Sequence, residues 1–350
     1  MNPEPWQRER DVAVRIVRDA ALLARAIELE IHRTAFLKPD QSPVTIGDLA
    51  VQAVIATRLA AEFPADPLVA EEDSSPLQGP DAHPLLANVL EFVRRLLPAA
   101  RPEQVLSAID RGRGLPGGRF WTLDPVDGTK GFLRGGQYVV ALALVVAGKV
   151  ELGVLGCPRL SWTAGHTRAE RAEAPYDAGS IVFAVRNHGA FSAPLAMPSE
   201  RGLQAGSRAG DAELTPLRVS SIREPRAARL LRSYESAHID LQACNMIVER
   251  LGVDAAPTLM DSQAKHTMIA AGRSDLLLRV PARPGFRDKI WDQAAGSIIV
   301  EEAGGRVTDL HGADLDFSTG RLLARNDGVV ASNGVLHAAA LVAIEGRVVP

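Results

Sequence analysis

Two carboxylates three residues apart, Asp124 and Asp127, flank a proline in the run Leu123-Asp124-Pro125-Val126-Asp127-Gly128-Thr129-Lys130-Gly131-Phe132-Leu133-Arg134-Gly135. Proline fixes one backbone dihedral and glycine tolerates positive φ, so the chain is expected to turn sharply here. Both acids can then face one point, with the amides of Gly128 and Thr129 left to donate. Oxygen ligands beside amide donors suit a hard divalent cation and a phosphate held together. Asp, Pro and Gly also build ordinary surface turns, so this run needs supporting chemistry elsewhere in the chain.

Four other segments carry it: Ser42-Pro43-Val44-Thr45-Ile46-Gly47-Asp48, Ala70-Glu71-Glu72-Asp73-Ser74, Asp261-Ser262-Gln263-Ala264-Lys265 and Trp291-Asp292-Gln293-Ala294-Ala295-Gly296. In this order the chain resembles the magnesium-dependent, lithium-sensitive superfamily of inositol monophosphatase and fructose-1,6-bisphosphatase. Within it the likeness is closest to the 3'(2'),5'-bisphosphate nucleotidases. The resemblance runs from about Lys38 to Gly334. Asp-Pro-x-Asp-Gly-Thr and Trp-Asp-x-Ala-Ala-Gly point to the superfamily. Lys130–Gly135, Asp261–Lys265 and Ser42–Thr45 point to the nucleotidase branch.

The resemblance implies a set of roles. Glu71, Asp124, Asp127 and Asp292 match the metal-ligand positions of the motifs they occupy, with the carbonyl of Val126 as a backbone ligand. Asp48 matches the acid that orients the Thr129 hydroxyl. The cofactor implied is Mg²⁺, two or three ions, with Mn²⁺ as a substitute. Phosphate-ester hydrolysis needs an activated water, neutralised charge on the phosphoryl group and a stabilised leaving oxygen, and paired Mg²⁺ ions supply all three. Two proton acceptors remain open, Thr129 backed by Asp48, or Glu71. The Gly128 and Thr129 amides would hold phosphate oxygens. His238, Ser262, Lys265 and Arg279 would receive the nucleotide, the two cations gripping a 5'-phosphate away from the metals.

These residues also have plainer readings. Thr45 and Asp48 have capping-box spacing, so Asp48 also fits a helix N-terminus. Glu72 and Asp73 are expected to be solvated, and Trp121 and Trp291 to be packing residues. No Gly-x-Ser-x-Gly elbow or Walker-type loop is present, so neither a serine nucleophile nor a triphosphate-binding loop is indicated.

The leading expectation is hydrolysis of adenosine 3',5'-bisphosphate to AMP and phosphate, with 3'-phosphoadenylyl sulfate as the secondary substrate the resemblance implies, in sulfur and nucleotide metabolism. An inositol- or sugar-phosphate phosphatase of the same superfamily is the alternative, and an inactive regulatory homologue a further one. The basic pair separates the first two, since a monophosphate has no second phosphate to bind. All the metal acids are present, which argues against the third.

Bulk properties agree with a small anionic substrate. The chain has 350 residues, 46% hydrophobic and 23% charged, with a formal net charge of −3. Such a chain reads as an ordinary globular protein with a large core. Its charge gives no field to recruit a nucleic-acid polymer or an anionic membrane. Met1–Arg10 is polar, and no apolar run approaches the roughly 20 residues of a membrane helix. A cytoplasmic location is therefore expected; oligomeric state is left open. Cys157 and Cys244 are too few for a disulfide framework.

The elements that must position these residues follow from periodicity. Val12, Ile16, Ala20, Leu23, Ile27 and Ile31 recur at helical spacing, predicting a helix over 8–36. Val51, Val54, Ile55 and Leu59 predict a second, ended by Pro64. The stretch 74–118 reads as loop with one helix over 84–97. A hairpin around Gly148-Lys149 and strands at 180–185 and 276–280 follow, with 191–217 loop-like. A helix is expected over 292–303, stopped by Gly304-Gly305. Two parts are expected, 1–165 bearing most metal ligands and 175–350 bearing the nucleotide residues and the last ligand. Mixed α/β layering follows from the alternation; the resemblance refines it to an αβαβα sandwich.

Overall fold

The structure, a computed structural model, describes residues 5–30, 35–37, 43–79, 82–163, 166–167, 179–195, 214–234 and 239–346. The chain opens with helix α1 (Gln7–Glu30), whose buried face carries Val12, Ile16, Ala20, Leu23 and Ile27. The predicted helix overran its true end. Ala35–Leu37 is instead strand β1, paired antiparallel with β2 (Pro43–Thr45). This short ribbon delivers the chain to helix α2 (Ile46–Glu62), where Thr45 and Asp48 form a reciprocal capping box.

Strand β3 (Leu68–Ala70) follows, then helices α3 (His83–Leu96) and α4 (Pro102–Asp110), two helices where one was expected. Strand β4 (Arg119–Asp127) leads into helix α5 (Thr129–Arg134), and β5 (Val139–Val146) and β6 (Lys149–Cys157) form the predicted hairpin. After the small ribbon β7 (Trp162–Thr163) and β8 (His166–Thr167) come β9 (Ser180–Val185), β10 (Gly189–Pro194) and β11 (Thr215–Pro216). Most of β10 and all of β11 fall in the stretch 191–217, read as loop. They complete a seven-stranded sheet in the order β11-β10-β9-β6-β5-β4-β3. This sheet therefore takes strands from both sides of the expected 165–175 seam.

The second sheet uses β12 (Leu230–Arg232), β13 (Thr258–Leu259), β14 (Leu276–Arg279), β15 (Arg306–Thr308) and β16 (Val329–Ser332), in the order β13-β12-β14-β16-β15. Its helices are α6 (Leu241–Leu251), α7 (Ala264–Ala270), α8 (Ala294–Glu302) and α9 (His337–Glu345).

Strand alternation sets the layers. In β5, Val140, Leu142 and Leu144 pack with α1 and α2, while Val139, Ala141, Ala143 and Val145 face α7 and α8. In β14, Leu277 joins that inner layer, whereas Leu276 and Leu278 pack outward with α6 and α9. The result is helix, sheet, helix, sheet, helix, the αβαβα arrangement. At Gly153 of β6 a Cβ would lie 2.5 Å from Ile298 and 2.7 Å from the Ala295 carbonyl. Glycine thus lets α8 sit directly on the first sheet.

Two charged side chains of α1, Arg18 and Glu28, are buried. Glu28 accepts from the Tyr138 hydroxyl at 3.0 Å and from Arg159 Nε at 2.9 Å. Among the described residues no helix is long and apolar enough to cross a membrane.

Candidate active site

Sheet register brings the first acids together. β3 runs parallel to β4 with Ala70 opposite Leu123, so the next residues, Glu71 and Asp124, emerge side by side. The Glu71 amide donates to the Leu123 carbonyl at 3.2 Å. The β4–β5 ladder then breaks between Asp124 and Asp127. Pro125 has no amide to give it, and the bulge aims Asp127 at the same space. The predicted turn is therefore a bulge followed by Gly128 at φ +90°, which starts α5. Glycine takes that conformation without steric strain. The Thr129 hydroxyl donates to the Val126 carbonyl at 3.2 Å.

Asp292 reaches this point from the other side, at the end of a short 3-10 turn (Ile290–Asp292) ahead of α8. Glu71, Asp124, Val126, Asp127, Gly128, Thr129 and Asp292 line one cavity of about 250 Å³. Ser262, Lys265 and Arg279 line it too. Asp48 stands behind it, fully buried, accepting from the Thr45 amide at 2.7 Å and hydroxyl at 2.6 Å. His238 lies outside the described residues. Lys289 is exposed at the side of Trp291. Glu72, expected in solvent, is buried, because Gln52 takes both its backbone amide (3.1 Å) and carbonyl (2.6 Å).

The acids crowd one another. Burial, then Glu71, Asp127, Asp292 and Asp48, push the Asp124 carboxyl well above the usual range. Burial also raises Asp292 well above it, against the pull of Arg279 and with Asp127, Asp288 and Glu71 adding repulsion. Asp127 is raised by burial in spite of Lys265 and two hydrogen bonds from Gln263. Among the described residues no three acids, histidines or cysteines close into a metal cage. Mg²⁺ keeps several waters and asks for few protein ligands, so an open group of mutually repelling carboxylates is the donor set that fits it.

The basic wall comes from the second sheet. Leu277 and Arg279 share a face of β14, which sends the Arg279 side chain inward, where Nε meets Asp288 at 2.5 Å. Burial opposes the Arg279 charge, but Asp288, Asp292 and Asp127 hold its pKa above the ordinary value. Lys265 Nζ donates to the Met260 carbonyl at 3.2 Å, and burial lowers its pKa to about 8 although Asp127 works against the shift.

Two residues were missed by sequence reasoning. Gln263 braces the site: its amide and Nε2 donate to Asp127 Oδ2 at 2.6 and 3.0 Å, Nε2 also reaches the Trp291 carbonyl at 3.0 Å, and Oε1 accepts from the Gly296 amide at 2.9 Å. It thus ties Asp127 to the segment bearing Asp292. Its place inside Asp261–Lys265 was the available signal. His266 lines the cavity with both ring nitrogens buried and, among the described residues, without a hydrogen-bond partner. Burial, with Lys265 and Arg279 nearby, lowers its pKa to about 3, so the ring is neutral.

The chain matches the model of the inositol monophosphatase family over residues 6–347. It belongs to the inositol monophosphatase family. Among relatives, it is 41% identical to a 3'(2'),5'-bisphosphate nucleotidase of Oryza sativa, over 98% of this chain and 95% of that one. It is 36% identical to a 3'(2'),5'-bisphosphate nucleotidase of Schizosaccharomyces pombe, over 93% of this chain and 91% of the relative. Among solved structures it resembles the Thermotoga maritima IMPase, with a TM-score of 0.63 and 21% identity over 97% of this chain and 98% of that one. That likeness concerns the fold shared across the family.

Proposed function

We propose that this family member is a Mg²⁺-dependent 3'(2'),5'-bisphosphate nucleotidase, releasing the 3'-phosphate of adenosine 3',5'-bisphosphate and leaving AMP. The observation that carries this reading is the pairing of opposite walls in one cavity, acids on one side and Lys265 with Arg279 on the other. The names of the 36–41% identical relatives support the same substrate.

Glu71, Asp124, Asp127, Asp292 and the Val126 carbonyl would hold the metal, Mg²⁺ or Mn²⁺ in its place. When bound, the metal supplies charge neutralisation and an acidified water. The protein does the rest. Gly128 and Thr129 amides orient the phosphate under attack. Either Glu71 takes the proton of the attacking water, or Thr129 takes it while its own hydroxyl proton passes to Asp48, the hydroxyl having turned away from the Val126 carbonyl it meets here. Lys265, Arg279 and the Ser262 hydroxyl grip the 5'-phosphate, and His238 would contact base or ribose. No covalent intermediate is required.

The test is phosphate release from adenosine 3',5'-bisphosphate, inositol 1-phosphate and fructose 1,6-bisphosphate in parallel, with Mg²⁺ and with EDTA. The nucleotide should be favoured at least tenfold, about 1.4 kcal/mol of differential transition-state binding, and EDTA should silence all three. Equal or better use of the sugar phosphates would move this chain to the alternative class, and full activity in EDTA would end the metal mechanism.

A further inference from the structure

We propose that Arg321 is a positioning residue that sets the spacing between Glu71 and Asp292, and through it the affinity of the site for a divalent metal. The proposal rests on the metal reading above. Glu71 comes from the first sheet and Asp292 from the turn ahead of α8. Metal held by a site that includes both acids would be sensitive to their separation, yet among the described residues no strand ladder spans that gap.

Arg321 spans it. Its backbone belongs to the Asp292 side: the Ile290 amide donates to the Arg321 carbonyl at 3.1 Å, and the Leu323 amide to the Asp288 carbonyl at 2.9 Å. Lys289 and Leu322 pair antiparallel between them. The side chain crosses to the Glu71 side. Nη1 donates to the Gly112 carbonyl at 3.0 Å and Nη2 to the carbonyl of Ala70, the residue before Glu71. On its way the guanidinium lies 4.6 Å from the ring centroid of Trp291, the residue before Asp292. One side chain therefore grips the immediate neighbour of each acid.

The choice of arginine is informative. A planar fork can donate to two carbonyls while its face rests on an indole; an ammonium is a point charge and cannot do both in that geometry. The positive charge also faces Glu71 and Asp73, so a lysine there would preserve the electrostatics and lose the clamp. Outer partners that orient metal ligands are typically worth about 10–100-fold in metal affinity.

The experiment compares the unaltered protein with Arg321→Ala and Arg321→Lys. Mg²⁺ binding is measured by calorimetry without substrate, and then as the Mg²⁺ dependence of phosphate release from adenosine 3',5'-bisphosphate. Arg321→Ala should weaken Mg²⁺ by about tenfold or more, with little change in nucleotide KM at saturating Mg²⁺. Arg321→Lys should recover little of it. Circular dichroism and thermal midpoint establish folding, and Arg321→Lys, which keeps charge and stem, carries the test if the alanine protein does not fold. Unchanged Mg²⁺ affinity in a folded Arg321→Ala protein overturns the proposal, as does full recovery by lysine, which assigns the effect to charge alone. Failure of the unaltered protein to bind Mg²⁺ overturns the metal reading and this proposal with it.

Discussion

The two walls of the cavity carry opposite charge, and they handle it in opposite ways. On the basic wall each cation has an answering group of its own: Asp288 for Arg279, and for Lys265 the Met260 carbonyl with Asp127 at longer range. On the acidic wall the carboxylates mainly face each other, and burial and mutual repulsion raise Asp124, Asp127 and Asp292 together. The basic wall thus keeps its charge as it stands. On the acidic wall burial and mutual repulsion work against full charge, and a cation held there would relieve both.

The sharpest way to break this contrast is Asp127→Asn. Removing one charge from a group that works only as a group should lower turnover by roughly 10³-fold, with circular dichroism unchanged. Ordinary Mg²⁺-dependent phosphate release by the folded variant would dissolve the acidic wall as a functional unit.

Lys265→Ala tests the other wall. Loss of a charge-assisted contact to the 5'-phosphate is typically worth ~1.5–3 kcal/mol, roughly ten- to a hundredfold in kcat/KM. A monophosphate substrate should barely notice. The ratio of the two kcat/KM values is the readout, and an equal fall in both would place Lys265 in the chemical step or in the scaffold.

A gentler version of the same cut is made with pH. Burial lowers Lys265 to about 8; below that pH it is protonated and can hold the phosphate, and above it the charge is lost. Specificity for the bisphosphate over a monophosphate should therefore fall as pH rises through about 8, while Arg279, raised rather than lowered, keeps a residual preference. Since kcat/KM reports free-enzyme pKa values, a specificity ratio that stays flat from pH 7 to 9.5 would contradict the assignment.

The convergence of Asp124 and Asp127 was legible in sequence because their spacing is local. Pro125 and Gly128 mark the break in the ladder, and Glu71 needs only the β3–β4 register to reach Asp124. Periodicity recovered α1, α2 and the β5–β6 hairpin for the same reason. What was hidden depends on distant partners. Arg321 is one arginine among many until Gly112 and Ala70, 209 and 251 residues away, are in place. Glu72 looks solvated until Gln52 closes over it. The end of α1 was misread because the strand Ala35–Leu37 owes its shape to pairing with Pro43–Thr45, which helical spacing does not record.

The buried Glu28 gives the chain a timetable. Its partners, Tyr138 and Arg159, come 110 and 131 residues later. During synthesis at ~5–20 residues per second, the Glu28 side chain waits roughly 7–26 s for both partners to be made. The sheet that α1 covers is also unfinished in that interval, since β5 and β6 are still to come. Helix α1 can meet α2 early, but the face that covers β5 and β6 stays open until the middle of the chain has been made.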